Sequence, residues 1–200
     1  IFLGSKLDEK AWLSKTDKKN IYLTGHPKYD KKWQLQFRKF LTKKITLVFV
    51  LKNIIDKTSY DLTEKYLEKI YNICEKNDFL LDIKIPPYQQ QELIEIIKKF
   101  KNNKNKKNFK ISDQNIFFSI NNAKLLINFN VSATTLDSVS LNVPVLQLPV
   151  INKIKNKYGE TNSIYTKLKL AKQIRYINDL DMFTLPSTGT EDMPNAINEA

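Results

Sequence analysis

Glycine is scarce in this chain, and its scarcity disfavours two common nucleotide-binding motifs. Four glycines occur in 200 residues, at Gly4, Gly25, Gly159 and Gly189. Their wide spacing allows neither a Walker loop nor a G-x-G-x-x-G turn, because both motifs cradle phosphates with closely spaced glycines. ATP hydrolysis by a Walker loop and ordinary dinucleotide binding are therefore poor hypotheses.

Cysteine and histidine occur once each, as Cys74 and His26. One cysteine cannot form an internal disulfide, and a single imidazole with a single thiolate strongly disfavours a zinc site built from these ligands. We expect neither a metal nor a cofactor. A Ser-His-Asp hydrolase would need His26 as its base, yet the sequence has no G-x-S-x-G elbow.

Long apolar runs are also missing. No stretch approaches the roughly 18 uninterrupted apolar residues of a membrane span, and no signal peptide heads the chain. We expect a cytoplasmic protein, with a peripheral position at the bacterial inner membrane as a compatible alternative. The chain begins at Ile1 rather than methionine, so we expect a fragment.

The net charge of +12 invites a nucleic-acid or membrane-surface interpretation. The densest basic run, 98–110, holds seven lysines, no arginine and two aromatic residues, Phe100 and Phe109. We interpret it first as a solvated helix end and loop. Anionic lipid headgroups, a polyanionic acceptor and nucleic acid follow in that order, so nucleic acid is the least favoured partner.

Apolar runs alternate with amphipathic stretches along most of the chain, and this predicts an α/β fold. Strands are predicted at 20–24, 45–51, 79–85, 108–111 and 125–129, and helices at 31–40, 62–74, from Pro87 onward, at 114–121 and at 165–175. Asp61 and Glu64 predict a capping box for the second helix. The alternation implies a parallel sheet with helices on both faces.

Three parts are expected along the sequence. Residues 1–19 would lead in from a missing preceding domain and include a helix near 9–15, residues 20–180 would form one domain, and residues 181–200 would be an irregular tail.

The segment 125–148, LLINFNVSATTLDSVSLNVPVLQL, predicts a strand, a hydroxyl-rich turn, a short helix and a second strand. Ser132 is predicted to cap the helix, with Ala133, Thr134 and Thr135 at its first turn. The N–H groups of that turn face the carboxyl end of the strand, where open parallel sheets bind their ligands. Capping alone and capping with a phosphate contact both remain open.

Asp137 lies one helical turn further along. Its carboxylate can accept hydrogen bonds from the paired hydroxyls of a ribose, and the alternative is a solvated helix residue. Asn142, before Val143 and Pro144, predicts a left-handed helix stop.

Two motifs resemble the donor-binding half of B-type (GT-B) glycosyltransferases and their relatives. The first motif consists of Ser132, Asp137 and Asn142-Val143-Pro144-Val145. The second is the turn Thr24-Gly25-His26-Pro27-Lys28-Tyr29-Asp30, which is similar to a Gly-x-Pro-basic-x-Asp turn. The relatives include UDP-N-acetylglucosamine 2-epimerases, CDP-glycerol glycerophosphotransferases and bacterial surface-carbohydrate biosynthesis proteins. The resemblance covers residues 20–150 and implies a Rossmann-like sheet, the carboxyl-terminal half of a GT-B architecture.

The sequence departs from these families at two places. Lys84-Ile85-Pro86-Pro87 keeps the lysine and last proline of a Lys-x-His-Pro motif but lacks its histidine, so no role of that histidine is carried over. Ala133 and Thr134 stand where the epimerases have a Gly-Gly pair. The second difference disfavours an epimerase.

The resemblance also implies roles for individual residues. The serine-containing turn would bind the donor diphosphate without a metal, and Asp137 would bind the ribose. Lys52 or Lys84 would add positive charge near the phosphates, with Asn53 beside them, and ordinary loop positions are the alternative. Backbone at Ile111 would contact the nucleobase. For His26, a catalytic acid or phosphate ligand competes with a purely structural hydrogen bond.

Taken with the composition, the resemblance implies the nucleotide-sugar-binding part of a glycosyltransferase in bacterial surface polysaccharide or lipopolysaccharide biosynthesis. Its partners would be a nucleotide-sugar, a glycan or lipid-linked acceptor and an amino-terminal acceptor domain, and the fragment alone would not be active. The alternatives are a sugar-nucleotide 2-epimerase, a polyol-phosphate transferase and a non-enzymatic polyanion-binding module.

Overall fold

The computed structural model describes residues 2–3, 22–23, 27–37, 44–54, 56–87, 90–102, 106–129, 132–149, 163–174 and 177–182. The strands are β1 (Phe2–Leu3), β2 (Tyr22–Leu23), β3 (Thr46–Val50), β4 (Leu80–Lys84), β5 (Phe109–Ser112), β6 (Ala123–Phe129), β7 (Val145–Leu148) and β8 (Lys172–Gln173). The α-helices are α1 (Lys31–Leu35), α2 (Lys57–Lys76), α3 (Gln91–Asn102), α4 (Ile116–Ile120), α5 (Thr134–Ser140) and α6 (Ile164–Lys167). Short 3-10 helices cover Pro27–Tyr29 and Ile177–Met182.

Six strands form one sheet in the order β5-β4-β3-β6-β7-β8, and every neighbouring pair is parallel. This is the order of a doubly wound Rossmann-like sheet, so the predicted fold class is confirmed. The chain crosses from one half of the sheet to the other between β5 and β6, and β6 lies beside β3. The carboxyl ends of β3 and β6 therefore flank the crevice in which such sheets bind ligands.

Helices cover both faces of this sheet, because successive side chains of a buried parallel strand point to opposite faces. On one face, Phe49 and Ile83 pack with the apolar stripes of α2 and α3. On the other face, Val48 and Leu126 pack with Ile120 of α4. Among the described residues, no helix is both long enough and apolar enough to cross a membrane.

Several helix boundaries differ from the sequence prediction. Helix α2 begins at Lys57, because Asp56 accepts a hydrogen bond from the Ser59 N–H at 2.7 Å and the Asp56 N–H donates to Ser59 Oγ at 2.9 Å. The predicted capping box of Asp61 and Glu64 is therefore wrong. Helix α3 begins at Gln91 rather than at Pro87.

The helix predicted at 165–175 is also wrong beyond its first turn. Helix α6 ends at Lys167, and Lys169 takes a left-handed conformation with φ of 57°. The Leu170 N–H then donates back to the Tyr165 carbonyl at 2.8 Å, which closes the helix end. This reversal lets Lys172–Gln173 join the sheet as an edge strand.

The helix stop predicted at Asn142 is confirmed. Asn142 has φ of 60°, and the Val143 N–H donates to the Ser138 carbonyl at 3.0 Å. Pro144 follows and cannot continue a helix. The helix expected near 9–15, the sequence 24–26 that contains His26, and the tail from residue 183 onward lie outside the described residues.

Candidate functional site

The turn between β6 and α5 lies at the carboxyl end of β6, beside the crevice. Helix α5 begins at Thr134. Its N-cap residue is Ala133, which has no side chain that could make a capping hydrogen bond. Ser132 Oγ lies 3.4 Å from the Thr134 nitrogen and 2.7 Å from Thr134 Oγ1. The prediction that Ser132 is the capping residue is therefore wrong by one position, although its hydroxyl and that of Thr134 converge on the same turn.

Asn128 of β6 holds this turn from below. Its amide nitrogen donates to Thr134 Oγ1 at 3.0 Å and to Thr135 Oγ1 at 3.1 Å. The Asn128 side chain is fully buried, and its Oδ1 has no hydrogen-bond partner within the described part of the chain. The two threonine hydroxyls are thus fixed in position by a buried amide rather than left to rotate in solvent.

A row of amides continues from Asn128 across the neighbouring strands. Asn128 is paired in register with Gln147 of β7, and Gln147 with Gln173 of β8. Gln147 donates to Thr135 Oγ1 at 3.1 Å and accepts hydrogen bonds from the hydroxyls of Ser163 and Thr166 at the start of α6. We call Asn128, Gln147 and Gln173 the amide row. It links the first turn of α5 to the first turn of α6.

Asp137 is buried, with 1% of its surface exposed, and it joins the two sequence motifs. Lys28 Nζ lies 2.6 Å from Asp137 Oδ1, and the Tyr29 hydroxyl donates to the same oxygen at 3.2 Å. Asp30 of the same turn caps α1 by accepting from the Lys32 and Trp33 N–H groups. The turn 27–30 is therefore bound to α5 through one carboxylate, and Asp137 is not a solvated helix residue.

The environment of Asp137 changes the acidity of two tyrosines. Burial, together with the adjacent Asp137 charge, raises the pKa of Tyr29 well above its ordinary value. Burial and the same charge also raise the pKa of Tyr165 on α6. Both phenols therefore stay protonated at neutral pH, and Tyr29 remains a hydrogen-bond donor to the carboxylate.

The remaining predicted residues follow the ends of the strands on the other side of the crevice. Lys52 and Asn53 are exposed just beyond β3. Ile111 is half-buried in β5. Lys84 ends β4 and is buried, with its ammonium group bonded to the carbonyl oxygens of Ser112 and Gln114. The structure thus brings all these residues to one edge of the sheet, while Lys84 contacts the loop after β5.

Sequence reasoning missed Lys28, Tyr29, Asn128 and Gln147 as parts of this site. A signal for the amides was present, because each is a polar residue inside an otherwise apolar strand and must find partners when buried. The pairing of Lys28 with Asp137 had no local signal, since it depends on how distant parts of the chain fold together.

Solved structures with the same fold were found, although no protein-family model and no curated protein matches this sequence. A UDP-GlcNAc 2-epimerase from Methanocaldococcus jannaschii, in complex with UDP-GlcNAc and UDP, aligns with a TM-score of 0.56 at 14% identity, over 98% of this chain and 57% of its own. The wall teichoic acid polymerase TagF aligns with a TM-score of 0.53 at 11% identity, over 99% and 51%. MurG from Acinetobacter baumannii aligns with a TM-score of 0.50 at 13% identity, over 86% and 52%.

These neighbours all have GT-B-type folds, which confirms the architecture implied by the two motifs. The chain spans about half the length of each of the matched structures. At such low identity the likeness establishes the fold alone.

Proposed function

We propose that this chain is the nucleotide-sugar-binding part of a glycosyltransferase that works in bacterial surface polysaccharide or lipopolysaccharide biosynthesis. The main observation in support is the position of the β6–α5 turn. It follows the strand at which the sheet order reverses, and it presents the Ser132 and Thr134 hydroxyls together. One structural neighbour is an epimerase in complex with UDP-GlcNAc and UDP. We expect the crevice of this chain to accept ligands of the same class, a nucleotide-sugar or a nucleoside diphosphate.

In this proposal the β6–α5 turn binds the diphosphate and takes up the negative charge that develops as the nucleotide leaves. Preorganised donors act strongly in this role, because they need not reorient during the reaction. Ser132 and Thr134 supply hydroxyls, and Ala133 supplies a backbone N–H group. The Thr134 N–H already donates to Ser132 Oγ, and the Thr135 N–H donates to the Ser132 carbonyl oxygen at 3.0 Å. Lys52 and Asn53, exposed beyond β3, lie at the same sheet edge to meet the distal phosphate.

Asp137 would accept a ribose hydroxyl through Oδ2, because Lys28 and Tyr29 both bind Oδ1. The half-buried Ile111 and the loop after β5 would contact the base. The acceptor, a glycan or a lipid-linked sugar, would bind to a preceding domain. That domain would also supply the catalytic base that activates the acceptor hydroxyl. His26, within the Gly-x-Pro-basic-x-Asp motif, is the candidate catalytic acid. We propose a cytoplasmic location with peripheral contact at the inner membrane.

The test is binding of nucleoside diphosphates to the full chain, followed by thermal unfolding and calorimetry. A ligand that binds only the folded state stabilises it by RT ln(1 + [L]/Kd), about 2.7 kcal/mol at a hundredfold excess over Kd. We expect a base-selective shift in Tm. We expect Thr134→Val to raise Kd by about ten- to a hundredfold, since a hydroxyl bonded to a charged group contributes about 1.5–3 kcal/mol. Lys101→Met, on the exposed face of α3, serves as the control with unchanged binding.

Equal shifts by every anion, erased by raised salt, would refute the proposal and leave the polyanion-binding alternative. The epimerase alternative is equally compatible with the alignments, which include UDP-GlcNAc 2-epimerases. Incubation with UDP-GlcNAc alone of a protein that includes the proposed preceding domain separates the two, because an epimerase forms a new sugar nucleotide without any acceptor.

A further inference from the structure

The ammonium group of Lys84 lies against the loop that follows β5. Lys84 Nζ donates to the Ser112 carbonyl oxygen at 3.3 Å and also to the Gln114 carbonyl oxygen. The residue is 8% exposed, so these carbonyls take the place of water around the charge. A buried ammonium group needs such acceptors, because its transfer from water without them is costly.

Lys84 also ties together the ends of three strands. Its own carbonyl accepts from the Leu51 N–H at the end of β3, at 2.9 Å. The Ile85 N–H donates to the Ser112 carbonyl at 3.4 Å, so that oxygen is held by both the main chain and the side chain of this short segment. On the far side of the loop, Asn115 Oδ1 accepts from the Phe117 N–H at 3.0 Å and begins α4. Residues 112–115 are therefore fixed at both ends.

The planarity of the peptide bond gives this clamp a consequence for binding. In a trans peptide unit the C=O and the following N–H point in opposite directions. When Lys84 binds the carbonyls of Ser112 and Gln114, the N–H groups of Asp113 and Asn115 are turned away from the buried ammonium group. They then form donors of fixed direction at the carboxyl end of β5.

We propose that Lys84 is a positioning residue that sets nucleobase selectivity by holding the loop 112–115, rather than a ligand of the donor phosphate. The proposal rests on the proposed function, since it assumes that a nucleotide occupies the crevice. The N–H groups of Asp113 and Asn115 would donate to acceptor atoms on the edge of a heteroaromatic base. Lys84 acts on it only through the loop backbone.

Two features argue against a phosphate contact by Lys84 itself. The ammonium group would have to leave both carbonyls, and β3 separates β4 from β6, whose turn presents the hydroxyls. Burial lowers the pKa of Lys84, while the charges of Asp82 and Asp113 oppose that shift. The two carboxylates thus help to keep the lysine charged in its present position.

The experiment measures the dissociation constants of UDP, CDP, GDP, ADP and inorganic pyrophosphate for the full chain and its variants. For Lys84→Met we expect the ratio between the best and the worst nucleotide to fall at least fivefold, while the affinity for pyrophosphate stays within twofold. Lys84→Gln keeps an N–H donor without the charge and should retain more selectivity than Lys84→Met. Lys101→Met is the control for loss of a positive charge elsewhere.

An equal loss of affinity for pyrophosphate and for every nucleotide in Lys84→Met would overturn the inference, because that pattern is expected of a phosphate ligand. If the wild type selects among nucleotides and Lys84→Met keeps the same selectivity, the inference is overturned as well. The proposed function would then still stand. If the wild type binds no nucleotide selectively, both fail together. Hydrogen exchange of the peptide covering 112–116 gives a second measurement, and faster exchange in Lys84→Met than in Lys101→Met is expected.

Discussion

The ion pair between Lys28 and Asp137 predicts an unequal response to loss of either partner. The side chain of Asp137 is 2% exposed and that of Lys28 is 33% exposed. Lys28→Met leaves a buried carboxylate without its cation, and such losses cost about 3–5 kcal/mol. Asp137→Asn leaves a lysine that can reach water and keeps an acceptor for the Tyr29 hydroxyl, so we expect about 1–2 kcal/mol, nearer to the range of exposed pairs.

Urea unfolding of the wild type, both single variants and the double variant measures these differences. In the double variant the carboxylate is neutral and needs no cation, so the two effects should fall short of their sum by about 1–3 kcal/mol. In a chain of this size each kcal/mol corresponds to about 2–4 °C in Tm, so Lys28→Met should lower Tm by about 6–20 °C. The reasoning is refuted if Asp137→Asn proves more damaging than Lys28→Met, or if the two changes are additive.

Three further predictions concern an ion pair, a buried amide and the buried thiol. Lys106→Ala should cost about 2–3 kcal/mol in urea unfolding, because Lys106 pairs with Glu68 and lies 3.9 Å from the centroid of the Phe100 ring, with its side chain 5% exposed. Lys99 makes the same kinds of contact with Glu64 and the Tyr60 ring, but its side chain is 60% exposed, so Lys99→Ala should stay within about 0.5 kcal/mol. Gln147→Leu should cost about 2–4 kcal/mol, because the hydroxyls that bond to the amide lose their buried partner. Burial raises the pKa of the Cys74 thiol from 9.0 to about 12. At pH 8 a thiol reagent should therefore react with the native protein at least about a hundredfold more slowly than with the protein unfolded in urea. The contribution of the protonated thiol to the free energy of unfolding is fully present below pH 9 and should decline as the pH rises towards 12. Fast labelling of the native protein, or stability that rises over that pH range, would contradict this last expectation.

The strands were predictable because their apolar runs are short and bounded by polar breakers. The runs near Val48, Ile83 and Leu126 all became buried strands, and the alternation with helices was enough to imply a parallel sheet. The end of α5 was also predictable, since Asn142 tolerates a left-handed conformation and proline follows it.

Other features depend on information that local patterns do not carry. The sequence 61–64 fits a capping box, yet Asp56 and Ser59 form the actual one, because both pairs satisfy the same local preference. The 165–175 segment has helical spacing, but burial of Leu170 and Ile174 against the sheet favours a turn and an edge strand. Tertiary packing decides between such local alternatives.

The candidate site shows the same division. The hydroxyl-rich turn and its place after β6 followed from sequence, whereas the partners of Asp137 did not, since 108 residues separate it from Tyr29. Lys84 was expected near the phosphates because of the resemblance and its position at a strand end. Its direction towards Ser112 and Gln114 is set by the neighbouring strand and cannot be read from the motif.

The amide row has a consequence for how the strands find their partners during folding. Strands such as LLINF and VLQL are apolar on both faces, and hydrophobic patterning alone fixes the relative alignment of such strands poorly. Asn128, Gln147 and Gln173 stand opposite one another only in the native alignment. A shift by one residue between β6 and β7 would set Asn128 against a leucine and move the Gln147 amide away from Thr135. The buried hydrogen bond between Gln147 and Thr135 would then be unmade, at a cost of about 1–3 kcal/mol. The polar residues that hold the turn of the candidate site thus also act as alignment marks, which penalise mispaired sheets before any ligand is bound.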